Sequence, residues 1–165
     1  MSDVKCAVFE REKRQAVMLH ITGVQKDAIG QEESIELVTQ GQLYEKDGIS
    51  YITYKEFLVT DGTEMDEGSN TMLKLCQEYV SLFRKGSIEQ RQEFRLGRLC
   101  ASSYITPYGS FDMGVFTNAL FLLRSECGNI SGVNLEYELY LDGHWQSANT
   151  LAITIDLLQK TSGVF

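Results

Sequence analysis

The stretch from residue 104 to residue 117 constrains the fold more than any other, because it holds the only proline of the chain. Its segment Thr106-Pro-Tyr-Gly109 suits a type I β-turn, with proline at the second position and glycine at the fourth. On both sides of this turn, apolar residues alternate with small or polar ones, which is typical of half-buried β-strands. The stretch therefore predicts two strands that meet at a sharp corner.

A second hairpin is predicted at Asp47-Gly48, which is a strong signal for a two-residue type I′ turn between alternating runs. Such a turn fixes which residues of the two strands face each other. The predicted pairs, all on the apolar face, are Leu43 with Ile52, Gly41 with Tyr54, Thr39 with Glu56 and Leu37 with Leu58. The ring of Tyr54 would then shield the backbone at Gly41.

A third hairpin is predicted at Asp142-Gly143, and its turn length is ambiguous. A two-residue turn would place His144, Gln146, Ala148 and Thr150 against the apolar face of the preceding strand. A three-residue turn would instead place Trp145, Leu151, Ile153 and Ile155 there. Burial of the larger apolar set favours the three-residue turn. Residues 118–126 are more continuously apolar, and they allow a short helix.

Short strands joined by tight turns predict an all-β fold, either an antiparallel up-and-down barrel of eight to ten strands or a sandwich. Closure favours the barrel, because it removes free strand edges. At 165 residues the chain is long enough for one domain with its own core. We place that domain at residues 14–160, after a charged leader at residues 1–13, and interpret residues 60–70 as an acidic loop.

The net charge of −8 disfavours partners that are themselves anionic, namely nucleic acids and membrane surfaces. No secretory signal follows Met1, and no stretch approaches the roughly 18 to 20 apolar residues of a membrane span. The four cysteines lie far apart without a CxxC pair, which is typical of reduced thiols. We therefore expect a cytoplasmic protein.

The chain resembles the YwiB-like family of small bacterial β-barrels, whose function is unknown. The matching segments are Gly41-Gln-Leu-Tyr44, Tyr51-Ile-Thr-Tyr54-Lys-Glu56, Arg84-Lys-Gly86, Tyr104-Ile-Thr-Pro-Tyr-Gly109 with Phe111 and Thr117, and Leu135-Glu-Tyr137. They span most of the sequence. The resemblance implies a closed barrel of the calycin or lipocalin type, and it supplies no catalytic residue.

Six residues are candidates for a ligand site inside such a barrel. The register of the Asp47-Gly48 hairpin points Thr39, Tyr54 and Glu56 inward, and strand alternation adds Arg84, Thr117 and Tyr137. Because a buried Glu and a buried Arg are costly unless paired, two arrangements are open. Glu56 and Arg84 pair as a polar plug in a filled core, or the six residues line a pocket in which Arg84 meets an anionic group.

The leading hypothesis is a non-enzymatic barrel that binds a small polar or amphipathic molecule. The alternative is a filled barrel that acts as a protein-interaction module or a homodimer. A hydrolase or isomerase reaction that uses Glu56 as base and Tyr54 as acid ranks third. No metal or other cofactor is expected, because His20 and His144 stand apart and the cysteines are scattered.

Overall fold

The computed structural model describes residues 14–56, 59–60, 63–64, 69–86 and 88–158, which form twelve β-strands. The predicted leader, residues 1–13, lies outside this part of the chain. In the described ranges no helix is long and apolar enough to cross a bilayer. The strands are β1 Gln15–Asp27, β2 Glu32–Lys46, β3 Ile49–Glu56, β4 Val59–Thr60, β5 Thr63–Glu64, β6 Ser69–Leu75, β7 Tyr79–Lys85, β8 Glu89–Arg95, β9 Leu99–Thr106, β10 Gly109–Arg124, β11 Ile130–Leu141 and β12 His144–Leu157.

Ten of these strands form one closed antiparallel barrel. Around the wall the order is β1-β12-β11-β10-β9-β8-β7-β6-β3-β2, so each barrel strand pairs with its nearest barrel neighbours in sequence. The pairing of β12 with β1 closes the ring, from Val17↔Leu157 to Asp27↔Ser147. The predicted up-and-down barrel is therefore confirmed, and the sandwich is wrong. Strands β4 and β5 form a separate two-stranded ribbon in the segment interpreted as an acidic loop.

The hairpin between β2 and β3 has the predicted turn. Asp47 and Gly48 both have positive φ angles, 54° and 77°, as a type I′ turn requires. The predicted pairs Leu43↔Ile52 and Gly41↔Tyr54 are both present. A Cβ atom at Gly41 would lie 2.7 Å from the carbonyl oxygen of Thr53, so this position admits only glycine without a shift of the backbone.

The other two predicted pairs of this hairpin are not confirmed. The ladder between β2 and β3 ends at Gly41↔Tyr54, and beyond it the two strands diverge. The predicted Thr39–Glu56 pair would lie beyond the end of this ladder and is not formed, although Thr39 still pairs with Leu19 of β1 and Glu56 with Ser69 of β6. The divergence arises because β2 follows β1 as far as Glu32 while β3 follows β6. Leu58, predicted opposite Leu37, lies outside the described residues.

The hairpin between β11 and β12 corrects the predicted turn length. Leu141 pairs with His144 across Asp142 and Gly143, so the turn has two residues. A β-bulge beside Leu139 then shifts the register by one residue, and Leu151, Ile153 and Ile155 face inward as predicted. Trp145 lies before the bulge, pairs with Tyr140 and donates its indole N–H to Glu138 at 3.2 Å. Its predicted place on the apolar face is therefore wrong.

Strand β10 replaces the short helix considered for residues 118–126. It runs to Arg124 and pairs with β11 through Leu120↔Leu135 and Leu122↔Val133. A bulge between Thr117 and Ala119 inserts one extra residue, which breaks the alternation in the sequence but keeps both leucines facing the interior. At the other end of β10, the pair Gly109↔Thr106 closes the predicted hairpin.

The core fills much of the barrel interior with aliphatic side chains. Burying each of these side chains stabilises the fold by about 1.5–3 kcal/mol. The largest fully buried ones are Leu19, Leu43, Ile52, Leu73, Leu75 and Leu135. Outside this core, Cys127 is disulfide-bonded, whereas Cys76 and Cys100 are free. The expectation of reduced thiols is therefore wrong for Cys127, because spacing along the chain does not reveal which cysteines approach each other in space.

Candidate functional site

Five of the six predicted site residues have described side chains, and the strand registers place all five on the inward side of the wall. Tyr54 and Thr117 are buried, while Thr39, Arg84 and Tyr137 are half-buried. For Glu56 the structure describes the strand pairing but not the side chain. The predicted ion pair between Glu56 and Arg84 therefore stays a prediction, as does ligand binding by all six residues.

Arg84 is held on the inner wall by its neighbours on two adjacent strands. It lies opposite Thr71 of β6 and Gln90 of β8, and its Nη1 group donates a hydrogen bond to Gln90 Oε1 at 3.1 Å. Thr71 also lies opposite Tyr54, so it connects Tyr54 with Arg84. The hydroxyl oxygen of Thr71 is buried and makes no hydrogen bond. A cation and an unsatisfied hydroxyl thus lie side by side on the inner wall.

Tyr137 faces the same interior from β11. Its ring packs edge-on against Phe94, with ring centroids 4.9 Å apart. Burial raises the pKa of Tyr137 above its usual 10.0, and the positive charge of Arg84 acts in the opposite direction. The two residues therefore lie within electrostatic range, although β7 and β11 are four positions apart around the wall. Beside Tyr137, Thr117 is fully buried, and its hydroxyl oxygen also has no partner.

Thr39 and Tyr54 contribute to a different feature, a groove of about 750 Å³ along β2, β3, β6 and β7. The other residues that line it are mostly outward-facing ones, including Thr53, Met72 and Phe83. This groove belongs to the outer wall. Of the predicted set, the structure thus brings Tyr54, Arg84, Thr117 and Tyr137 around the interior and leaves Thr39 beside Tyr54 at its margin.

Sequence reasoning missed several inward-facing polar residues, among them Thr71 of β6, Gln90 and Gln92 of β8 and Ser102 of β9. Strand β8 carried a usable signal, because its alternate residues Glu89, Arg91, Glu93 and Arg95 are all charged and must face water. For β9 the pattern misleads, since its outward-facing residues Leu99 and Ile105 are apolar and yet exposed. Alternation alone would predict that the side chain of Ser102 faces solvent.

Comparison of the sequence with known proteins identifies the family of the chain. A family model described as a domain of unknown function, DUF1934, matches residues 19–153. The chain belongs to this family. Within it, the uncharacterized beta-barrel protein YwiB of Bacillus subtilis (strain 168) is 26% identical over 142 residues, covering 85% of this chain and 92% of that protein. The predicted relationship to YwiB is thus confirmed.

A solved structure bears out the architecture of this DUF1934 member. The crystal structure of the ywiB protein from Bacillus subtilis superposes with a TM-score of 0.70 at 21% identity, covering 88% of this chain and 94% of that one. At this level of identity the likeness extends to the fold alone. The description of DUF1934 names no activity.

Proposed function

We propose that this barrel is of the calycin type, that it binds one small amphipathic anion in its interior and that it catalyses no reaction. The observation that carries the proposal is the joint placement of Arg84 and Tyr137. The guanidinium offers a charge-assisted contact for an anionic group. The ring pair of Tyr137 and Phe94 and the aliphatic core offer apolar walls. Such a combination of many apolar and few polar contacts is typical of small-molecule sites.

The two buried hydroxyls support the proposal further. A buried polar atom without a hydrogen-bond partner costs about 1–3 kcal/mol, and most such atoms in native proteins are satisfied by protein, water or ligand. Thr71 lies beside Arg84, and Thr117 lies beside Tyr137. A ligand that accepts or donates a hydrogen bond at each hydroxyl would remove this cost.

Native mass spectrometry of the full chain, purified without denaturation, tests the proposal. The expected result is a co-purifying small mass that is released on unfolding. Thr117→Val conserves the side-chain volume and removes only the hydroxyl, so we expect it to fold normally and to lower the ligand-bound fraction. Thr154→Val on the exposed side of β12 is the matched control and should leave that fraction unchanged. No small mass from native cells, or equal occupancy in both variants, would contradict interior binding.

The interaction module remains a second candidate, because the outer wall carries an apolar groove. This groove, about 500 Å³ in volume, is lined by Leu99, Phe116 and Tyr140 among others, and Leu99 is 63% exposed. Sedimentation velocity of the wild type and of Leu99→Gln tests it. A dimer that dissociates in the variant, in protein that carries no small mass, would favour this function over ligand binding.

The cytoplasm stays the proposed location of the protein. The free thiols of Cys76 and Cys100 favour it, and the disulfide at Cys127 argues against it. Fractionation of native cells decides between the cytoplasm and an oxidising compartment.

A further inference from the structure

The barrel wall is split between β8 and β9. The two strands pair at Glu89↔Ile105, Gln90↔Tyr104 and Arg91↔Ser103, and no further pair joins them in the described chain, although both continue toward their common turn. Beyond Arg91, β8 stays paired with β7 as far as Arg95↔Tyr79. Strand β9 stays paired with β10 as far as Leu99↔Phe116. Each strand thus keeps its outer neighbour while the ladder between them opens.

The turn of this hairpin is anchored to β10 instead of closing the ladder. The backbone N–H of Gly97 donates to the carbonyl oxygen of Thr117 at 2.8 Å, and Leu96 forms an isolated bridge with the same residue. These contacts keep the turn on the β10 side of the split. The split is therefore a fixed feature of the wall, closed at the turn and closed again at Arg91↔Ser103.

A cavity of about 400 Å³ lies along the split, and two residues with unsatisfied buried polar groups belong to its lining. Its lining includes Gln92 from β8 and Ser102 from β9. Gln92 is only 3% exposed, and its Nε2 group makes no hydrogen bond. The hydroxyl oxygen of Ser102 is also buried without a partner. The Gln92 amide nitrogen can only donate and the Ser102 hydroxyl can donate, so an acceptor that enters the cavity would satisfy both; the lining also includes Ser81, Glu93 and Ser103.

The charges at the mouth of the cavity favour an anionic acceptor. The carboxylate of Glu93 accepts a hydrogen bond from Arg95 at 2.8 Å, which compensates its negative charge. The guanidinium of Arg91 stacks over the ring of Phe83 at 5.1 Å, and no ion pair of Arg91 occurs among the described residues. Stacking holds the guanidinium in place while leaving its N–H groups available for a planar anion.

We propose that the split between β8 and β9 is a binding site for a small carboxylate, held by Arg91, Gln92 and Ser102. Arg91 meets the charge from the outer wall, and Gln92 and Ser102 donate to the carboxylate oxygens from within. The site goes beyond the interior site proposed above and shares no residue with it. Failure of either proposal therefore leaves the other standing.

A titration of the ¹⁵N-labelled full chain with sodium benzoate tests this site, with benzyl alcohol at equal ionic strength as the uncharged analogue. The expected result is saturable amide shifts confined to residues 91–93 and 101–103 with benzoate only. Arg91→Gln should raise the dissociation constant about tenfold, because it removes a charge-assisted contact. Gln92→Leu and Ser102→Ala should weaken binding in the same direction, and the dispersion of their spectra shows whether each variant is folded.

Arg98→Gln is the matched control, since Arg98 lies in the exposed turn of the same hairpin outside the cavity. It should bind benzoate like the wild type. Equal weakening by Arg91→Gln and Arg98→Gln would show general charge attraction and overturn the site. Shifts of equal size with benzyl alcohol, or no saturable shift with benzoate, would overturn it as well.

Discussion

The two sides of this barrel wall are built differently. On one side β1 pairs along nearly its whole length with both neighbours, from Gln15↔Leu43 to Lys26↔Glu32 with β2 and from Val17↔Leu157 to Asp27↔Ser147 with β12. On the other side β8 and β9 pair over three positions and then separate. The inner residues follow the same division, because Val17, Leu19 and Ile21 of β1 are aliphatic whereas Gln90 and Gln92 of β8 are polar.

The difference indicates that one side of the wall mainly stabilises the fold and that the other side mainly binds ligands. A continuous ladder over an aliphatic inner face leaves few polar atoms without partners, so that side stabilises the fold. The opposite side keeps buried donors that the protein does not satisfy, at a cost that native proteins tolerate mainly at functional sites. The interior site includes Arg84 of β7, the second site lies between β8 and β9, and both depend on such donors. Three substitution experiments test whether the two sides differ in this way.

The largest expected effect is on the aliphatic side. Leu19 is fully buried between β2 and β12, and Leu19→Ala should lower the free energy of unfolding by about 3 kcal/mol through lost burial and the cavity left behind. Urea denaturation followed by circular dichroism measures it. Val38→Ala on the neighbouring strand is the control, because Val38 is 57% exposed and should change the free energy by less than about 0.5 kcal/mol. Similar losses in both variants would show that the aliphatic side is not the stabilising one.

We expect an intermediate effect on the free energy of unfolding when a buried side-chain amide is replaced, and this effect should differ between the two sides of the wall. Asn149 on β12 donates a hydrogen bond to Ser147 Oγ at 3.0 Å. Asn149→Leu leaves the buried Ser147 hydroxyl without this partner and should lower the free energy of unfolding by about 1–3 kcal/mol. Gln92 Nε2 has no partner to lose, so Gln92→Leu should leave the free energy of unfolding unchanged or raise it. Thermal and urea denaturation of the two variants measure the contrast. A loss of the same size at Gln92 would mean that its amide is satisfied in solution.

The smallest effect concerns Tyr137 and appears only in alkali. Its pKa is higher in the folded than in the unfolded chain, because burial disfavours the phenolate. The folded state then binds the proton more tightly, so this contribution to stability is complete below the ordinary value of 10.0 and is lost as the pH rises through the folded pKa. We therefore expect Tyr137→Phe to lose less thermal stability than the wild type between neutral pH and the alkaline range. Tyr108→Phe, at a site 95% exposed, should follow the wild-type curve.

Several features of the interior could be read from residues alone. The Asp47-Gly48 turn sets the pairing of Gly41 with Tyr54, because both turn residues adopt positive φ angles that Asp and Gly tolerate. That single local constraint places Tyr54 inside the barrel. Strand alternation does the same for Arg84, Thr117 and Tyr137, and all three lie on the inward side.

Other features followed from no local pattern. Two β-bulges, beside Thr117 and Leu139, each add a residue that alternation cannot anticipate, and they misled the assignments of residues 118–126 and of Trp145. The β2–β3 ladder ends at Gly41 because β2 stays paired with β1 and β3 stays paired with β6 beyond that point. The pairing of Glu56 with Ser69 belongs to this continued β3–β6 ladder.

Turn chemistry and the two-residue period of a strand are properties of neighbours in the chain, and they were sufficient to predict an up-and-down barrel and most of its inward-facing residues. The proximity of Arg84 to Tyr137 and the split beside Gln92 depend on barrel closure, which brings β7 toward β11 and lets one ladder open while its neighbours remain paired. No rule of local spacing encodes them, because they arise from contacts between strands that are distant in the chain or from the absence of contacts between adjacent ones.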